Sequence, residues 1–206
     1  MAARTVTKRV SGSEGPNDKR ELILGAATRV FAQSGYFNSK VADVAAAAGI
    51  ADGTVYLYFK SKDEILHSIF DRAMEKFIAE GGRQLAGLDS PVARLRKIAE
   101  LHLERLGADR DLAIVFQVEL RGSTKHMQEF SAAGFAEYLD IIRETIEAAQ
   151  KSGDFRRDIK PIVAAKILYG ALDEMVTNWV LSSRSYPLAP MAGEVLKIFL
   201  DGIQAV

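Results

Sequence analysis

Between its glycine and proline stops the chain sets apolar residues three and four apart, and nowhere does it alternate them in the manner of a strand. It is therefore expected to be all-α. Leu22, Ile23, Ala26, Ala27, Val30 and Phe31 predict a first helix over 18–34, which Gly35 ends. Two short helices follow over 41–48 and 53–59. Ser61 and Glu64 then form a capping box at the start of a long helix carrying Ile65, Leu66, Ile69, Phe70, Met74 and Phe77. Ser90-Pro91 opens a helix to 107, another spans 111–120, and a long amphipathic one runs over 125–151. Pro161 and Pro190 open the last two, to 182 and 203, making about nine helices in all.

A chain of 206 residues with 48% hydrophobic content can bury a full core. The absence of cysteine excludes disulfides, thiolate zinc sites and cysteine nucleophiles, and the default address is cytoplasmic. No apolar run approaches the roughly 20 residues that cross a bilayer, so no membrane partner is expected. Arg4, Lys8 and Arg9 lead into Ser11-Gly12-Ser13 rather than into an apolar signal core, and residues 1–17 read as a disordered arm. The zero net charge is unevenly spread: residues 1–62 carry 9 basic and 5 acidic side chains, and the remainder 18 and 22. A basic head on an acidic body suits phosphate binding, although a solvated surface would show the same excess.

Residues 39–56 can be read physically. Val41, Val44, Ala45 and Ala48 form a small apolar face, Gly49 takes a tight turn, and Ile50 and Val55 fill the space between two short helices. That is a helix-turn-helix, whose second helix can enter a major groove about 12 Å wide. Tyr56, Tyr58 and Lys62 follow at spacings that suit a clamp on the DNA backbone. Tyrosine hydroxyls donate to phosphate, and Lys62 stands at a helix N-terminus that itself favours an anion. Ser39 and Lys40, at the start of the preceding helix, are expected to face phosphate too. Thr54 and Leu57 lie where base edges can be touched. The competing reading makes Tyr56 and Tyr58 ordinary half-buried aromatics.

Gly35-Tyr36, this helix-turn-helix, and the run from Gly53-Thr54-Val55-Tyr56-Leu57-Tyr58-Phe59 to Lys60-Ser61-Lys62-Asp63-Glu64-Ile65-Leu66 resemble the N-terminal signature of TetR-family regulators. The resemblance implies a three-helix DNA-binding head over 18–62 and a ligand-binding and dimerisation body over 63–206. It also implies a homodimer on a palindromic operator of double-stranded DNA, with Gly53 among the contacting residues. Ala51 departs from the pattern, in which a serine usually caps the recognition helix. Asp52 is then either a substitute cap or an acceptor for a cytosine amino group.

The segments 112–121 and 172–180, with Ala51-Asp52-Gly53-Thr54, are similar to the fatty-acid-degradation subgroup of that family. This implies a long-chain acyl-CoA as the small-molecule effector, with neither a cofactor nor a metal. Such a ligand needs an apolar tunnel and a basic mouth. Phe70, Met74, Phe77, Leu106, Phe116, Phe135, Leu139 and Ile142 are candidates for the tunnel, and Arg105, Arg121 and Lys125, joined by His102, for the mouth. Apolar stripes are more often plain core, surface arginines more often solvated, and a lone histidine more often just a satisfied polar residue. Glu119, Arg121, Asp173 and Glu174 interrupt apolar helices and read either as a buried network or as a solvent face. Leu168, Leu172, Met175, Trp179, Val195 and Phe199 exceed the needs of one helical face and are expected to pair two copies as a four-helix bundle.

An enzyme is the rival class, and it finds no support. His67, His102 and His126 are scattered, and there is no nucleophile elbow or phosphate-binding glycine loop. No catalytic residues are assigned. Two further readings stay open: a regulator of another hydrophobic ligand, such as a multidrug or signal sensor, and an adaptor that has lost DNA binding.

Overall fold

A computed structural model describes residues 16–122, 134–184 and 186–205. Among these are nine α-helices and no strand. They are α1 (Pro16–Ser34), α2 (Val41–Ala48), α3 (Asp52–Val55), α4 (Lys62–Leu85), α5 (Pro91–Gly107), α6 (Arg110–Ile114), α7 (Gly134–Ser152), α8 (Pro161–Leu181) and α9 (Met191–Ile203). The expected arm falls almost wholly outside the described residues, as does the first third of the helix expected over 125–151.

Local chemistry sets the boundaries. Gly35, at φ 80, ends α1, and its N–H bonds back to the Phe31 carbonyl at 3.0 Å. The Ser61 hydroxyl accepts from the Glu64 N–H at 3.1 Å, while the Glu64 carboxylate reaches back to the Lys60 N–H at 2.6 Å, one residue before the cap. Ser90 and Pro91 start α5 as their types require. After Ile114 the helix widens into a π turn over Val115–Glu119 and tightens into a 3₁₀ turn over Leu120–Gly122, a departure from the plain helix expected there.

Two apolar clusters hold the molecule together. The N-terminal one joins Ile23, Leu24, Ala27 and Phe31 of α1 to Val44, Ala45, Val55 and Phe59. It continues past residue 62 through Ile65, Leu66, Ile69 and Phe70 of α4, and it takes in Val115 and Leu120. The head is thus seated on the π turn as well as on α4. The second cluster gathers α5, α7, α8 and α9 around Leu95, Leu103, Ile142, Leu168 and Leu172. Gly134 lets α7 approach α4, since a Cβ there would lie 2.9 Å from that of Met74. No helix among the described residues is long and apolar enough to cross a membrane.

Candidate effector cavity and nucleic-acid interface

In the head, α2 and α3 cross at Gly49, whose φ of 69 permits the tight turn and lets the Ile50 N–H reach the Ala45 carbonyl at 3.0 Å. Val44, Ala45 and Val55 are fully buried beneath the crossing. The recognition helix is shorter than expected, Asp52–Val55, but turn bonds carry the chain on to Phe59. Ala51 occupies the capping position without a side-chain bond, and Asp52 lies exposed in the first turn. Asp52 does not cap. Gly53, Tyr56 and Leu57 are exposed and Thr54 and Tyr58 half-buried, with Leu57 at 82% exposure; Lys40 is exposed at the start of α2.

Two clamp residues are used differently from what their positions suggested. Ser39 is buried, and its hydroxyl donates to the Gly35 carbonyl at 2.7 Å, so it is turned away from any phosphate. Lys62 points inward: its ammonium donates to the Tyr36 and Ser39 carbonyls at 2.7 and 2.9 Å and lies 4.3 Å from the centre of the Tyr36 ring. It staples the loop between α1 and α2 to the start of α4. The Tyr36 hydroxyl donates to Asp63, and burial followed by that bond pushes the phenol far above its ordinary value. Lys62→Ala is accordingly expected to destabilise the head by about 1 to 3 kcal/mol while leaving the salt dependence of operator binding unchanged. Denaturation, with operator affinity measured across salt concentrations, checks this. A slope lowered by one per half-site would return Lys62 to the phosphate.

In the body, a cavity of about 50 Å³ lies between α4, α5, the π turn, α7 and α8. Met74, Phe77, Leu106, Phe116 and Phe135 of the expected tunnel line it, as do His102 and Arg105, which were expected at the mouth, together with Ala73, Leu112, Tyr138, Tyr169 and Asp173. Three expected tunnel residues do not. Phe70 belongs to the head's cluster and packs edge-on behind Phe116, with ring centres 4.6 Å apart, while Leu139 and Ile142 are buried away from the cavity. Lys125 lies outside the described residues.

His102 cannot serve as a cation at the mouth. Burial holds it down at about pKa 4, against the pull of Asp173, so it is neutral near pH 7. Arg121 is paired with Asp173, which also accepts from Gln117 at 2.7 Å; Thr177 in turn donates to Gln117 at 2.9 Å. Of the four interrupting charges, Arg121 and Asp173 form this network. Glu119 reaches the Tyr36 N–H at 2.6 Å, and Glu174 is exposed beside Asn178.

Basic side chains gather instead in a neighbouring cleft of about 340 Å³ between α1, α4 and the α5–α6 corner. Arg29, Arg72, Lys76 and Arg105 line it against Asp109 and Asp111, and it shares Ala73, Arg105 and Leu112 with the cavity. Glu21 pairs with Arg72 at 2.5 Å and Lys76 at 3.2 Å. The i, i+4 spacing of Arg72 and Lys76 marked one face of α4, but no local signal placed Arg29 opposite them.

On α8 and α9, Leu168, Leu172 and Trp179 turn inward to the body's own core and are not on a free surface. Met175, Val195 and Phe199 are half-buried. The exposed apolar face is formed by Ile162, Val163, Ile167 and Ile198, alongside a groove that Ile167, Ala171, Val195, Ile198 and Phe199 line.

A short helix-turn-helix seated on a larger helical body defines a transcription regulator, and the comparisons with known proteins agree. The chain belongs to the TetR family: residues 23–69 match the bacterial regulatory proteins of the tetR family, and residues 70–202 match the YsiA-like protein C-terminal region. It is 34% identical to the fatty acid metabolism regulator protein of Bacillus subtilis, over 88% of this chain and 93% of that one. The fatty acid degradation regulator FadR of Bacillus halodurans superposes with a TM-score of 0.86 at 34% identity, covering 93% of this chain and 98% of that one. FadR of Bacillus subtilis in complex with stearoyl-CoA superposes at 0.84 and 33% identity, covering 89% and 98%. The family and these relatives are transcriptional regulators and not enzymes.

Proposed function

We propose that the protein is a homodimeric repressor that binds a palindromic operator and is released by long-chain acyl-CoA, so regulating fatty acid degradation in the cytoplasm. The observation that carries this reading is the junction of two unlike spaces, an apolar aromatic cavity and a cleft with four cations, at Ala73, Arg105 and Leu112. An acyl-CoA is divided in the same way, into an apolar chain and a polyanion. Arg72 adds a buried Nε that has no partner among the described residues, a donor already stripped of water. Similarity to the stearoyl-CoA complex supports the same ligand class. The exposed face of α8 and α9 supports pairing of two copies. Tyr56, Tyr58 and Lys40 are assigned to phosphate, and Thr54 and Leu57 to base edges.

The cavity's 50 Å³ has room for a few waters, at roughly 10–15 Å³ each, and not for a long acyl chain. A long chain therefore binds only where the walls have parted. The ligand acts by preferring that parted arrangement, and a preference of ~1 to 3 kcal/mol changes DNA affinity roughly 5- to 150-fold. The chain has the energy to do so, because each buried CH₂ contributes about 0.8 kcal/mol. Two elements carry the movement to the head. One is α4, whose N-terminal part lies in the head's core and whose Met74 lines the cavity. The other is the π turn, which presents Phe116 to the cavity and Glu119 to the Tyr36 N–H.

Titrating a labelled operator complex with acyl-CoAs of increasing length tests the reading. Long chains are expected to release the protein, and free CoA and short acyl-CoAs are not. Release independent of length would leave a TetR regulator of another hydrophobic ligand, and no release at saturation would remove the acyl-CoA assignment.

A further inference from the structure

The cavity carries one buried polar atom that the described residues leave without a partner. His102, only 5% exposed on α5, lines the cavity, and its Nε2 is buried without a hydrogen-bond partner among the described residues. The ring is held firmly. It stacks on Tyr138 at 5.9 Å between centroids and 27° between planes, and it meets Phe77 and Tyr169 edge-on at 6.4 and 5.9 Å. Its Nδ1 lies 3.0 Å from the Tyr138 hydroxyl.

That contact decides which nitrogen bears the proton. Burial keeps the imidazole neutral and pushes the Tyr138 phenol far above its ordinary value, so one hydrogen is shared across the contact. If Nδ1 donated, the phenol hydrogen and the Nε2 lone pair would both be left buried and unmatched. If the phenol donates to Nδ1, only Nε2–H is left over. The second arrangement leaves fewer groups unpaired and is preferred. Nε2 is then a fixed donor in a largely apolar chamber.

We propose that His102 Nε2–H is the hydrogen-bond donor to an effector oxygen, the thioester carbonyl of the acyl-CoA. The inference rests on the acyl-CoA reading above. Its placement follows from α5: Arg105, one turn beyond His102, borders both the cavity and the basic cleft. The thioester carbonyl is the last polar atom of the ligand before its apolar chain, and it lies near that junction. A ligand with an oxygen there gains a bond, and one without it leaves a buried donor unpaired, which sets specificity for acyl thioesters over plain hydrocarbon chains.

The experiment compares hexadecanoyl-CoA, its thioether analogue hexadecyl-CoA, which lacks the carbonyl, and 3-hydroxyhexadecanoyl-CoA. Each is titrated calorimetrically into wild-type protein and into His102→Phe. Wild type is expected to bind the thioester roughly tenfold more tightly than the thioether, and His102→Phe to bring that ratio close to one. A further gain for the 3-hydroxy compound that disappears in His102→Phe would place the recognised oxygen on the chain and not at the thioester, overturning the carbonyl assignment. The wild-type protein supplies a second readout that needs no variant: its Nε2 proton resonance moves downfield with the thioester and not with the thioether. Equal binding of all three, or a ratio that survives His102→Phe, overturns the inference alone. If none of the three binds wild type, the acyl-CoA reading falls and this inference with it.

Discussion

Replacing Ile198 with glutamate is expected to convert the protein into a folded monomer whose operator affinity is lower by at least about 100-fold. Ile198 is 76% exposed on α9, so the charge costs the isolated protomer little. In a bundle of α8 and α9 from two copies it would be buried without a partner, a penalty of several kcal/mol. A single head then keeps only one half-site, and the gain from holding two heads at a fixed spacing is lost. Sedimentation and operator binding measure the two effects separately. Trp179 would be the wrong residue to test. It is only 7% exposed within its own protomer, its indole N–H donates to the Tyr186 carbonyl at 2.9 Å, and Arg110 lies 4.8 Å from its ring. Changing it would unfold the body whether or not a dimer forms. An Ile198→Glu protein that is still dimeric and still binds operator normally would place the interface on another face.

Glu119→Ala is expected to uncouple the effector from DNA. The wild-type change in operator affinity on adding acyl-CoA, within about 5- to 150-fold, should shrink to less than about threefold. The carboxylate closes the route from cavity to head. Phe116 lines the cavity, Gln117 is tied to Asp173 of the cavity wall, and Glu119 of the same wide turn accepts from the Tyr36 N–H. Tyr36 is in turn held by Lys62 and Asp63 at the start of α4. Without Glu119 the turn can yield to the ligand while the loop before α2 stays where Lys62 holds it. Coupling is reciprocal, so the effect of operator on ligand affinity must shrink by the same factor. Glu119→Gln retains an acceptor and is expected to preserve part of the response. Full release of Glu119→Ala by ligand would leave α4 as the sole transmitter.

In the candidate effector cavity the apolar lining is the portion legible in sequence. Met74, Phe77, Leu106 and Phe116 are large residues on the inner stripes of their helices, and periodicity alone places such residues inside. The polar portion is less legible. The residue types of Arg121 and His102 suggest a basic mouth, yet one is neutralised by Asp173 and the other is kept uncharged by burial. The cleft that does gather cations draws Arg29 from α1, Arg72 and Lys76 from α4 and Arg105 from α5. Nothing within any one of these helices signals the other two.

Local chemistry along the chain dictates the kinds of element and their order. It also dictates the helix-turn-helix, because glycine at a left-handed turn, a small apolar face and a capping box act over three or four residues and need no distant partner. It dictates which residues share a stripe on α8 and α9 as well. Packing in three dimensions settles which stripe faces the protomer's own core and which is left exposed, since both are apolar and the spacing on each is the same. It alone turned Ser39 and Lys62 inward, and it alone joined Tyr36 to Glu119 across 83 positions of chain. Hydrogen bonds and buried charges of that kind depend on which groups meet in space. Helical periodicity fixes the direction in which a side chain leaves its own axis, and the packing of the other helices decides what it finds there.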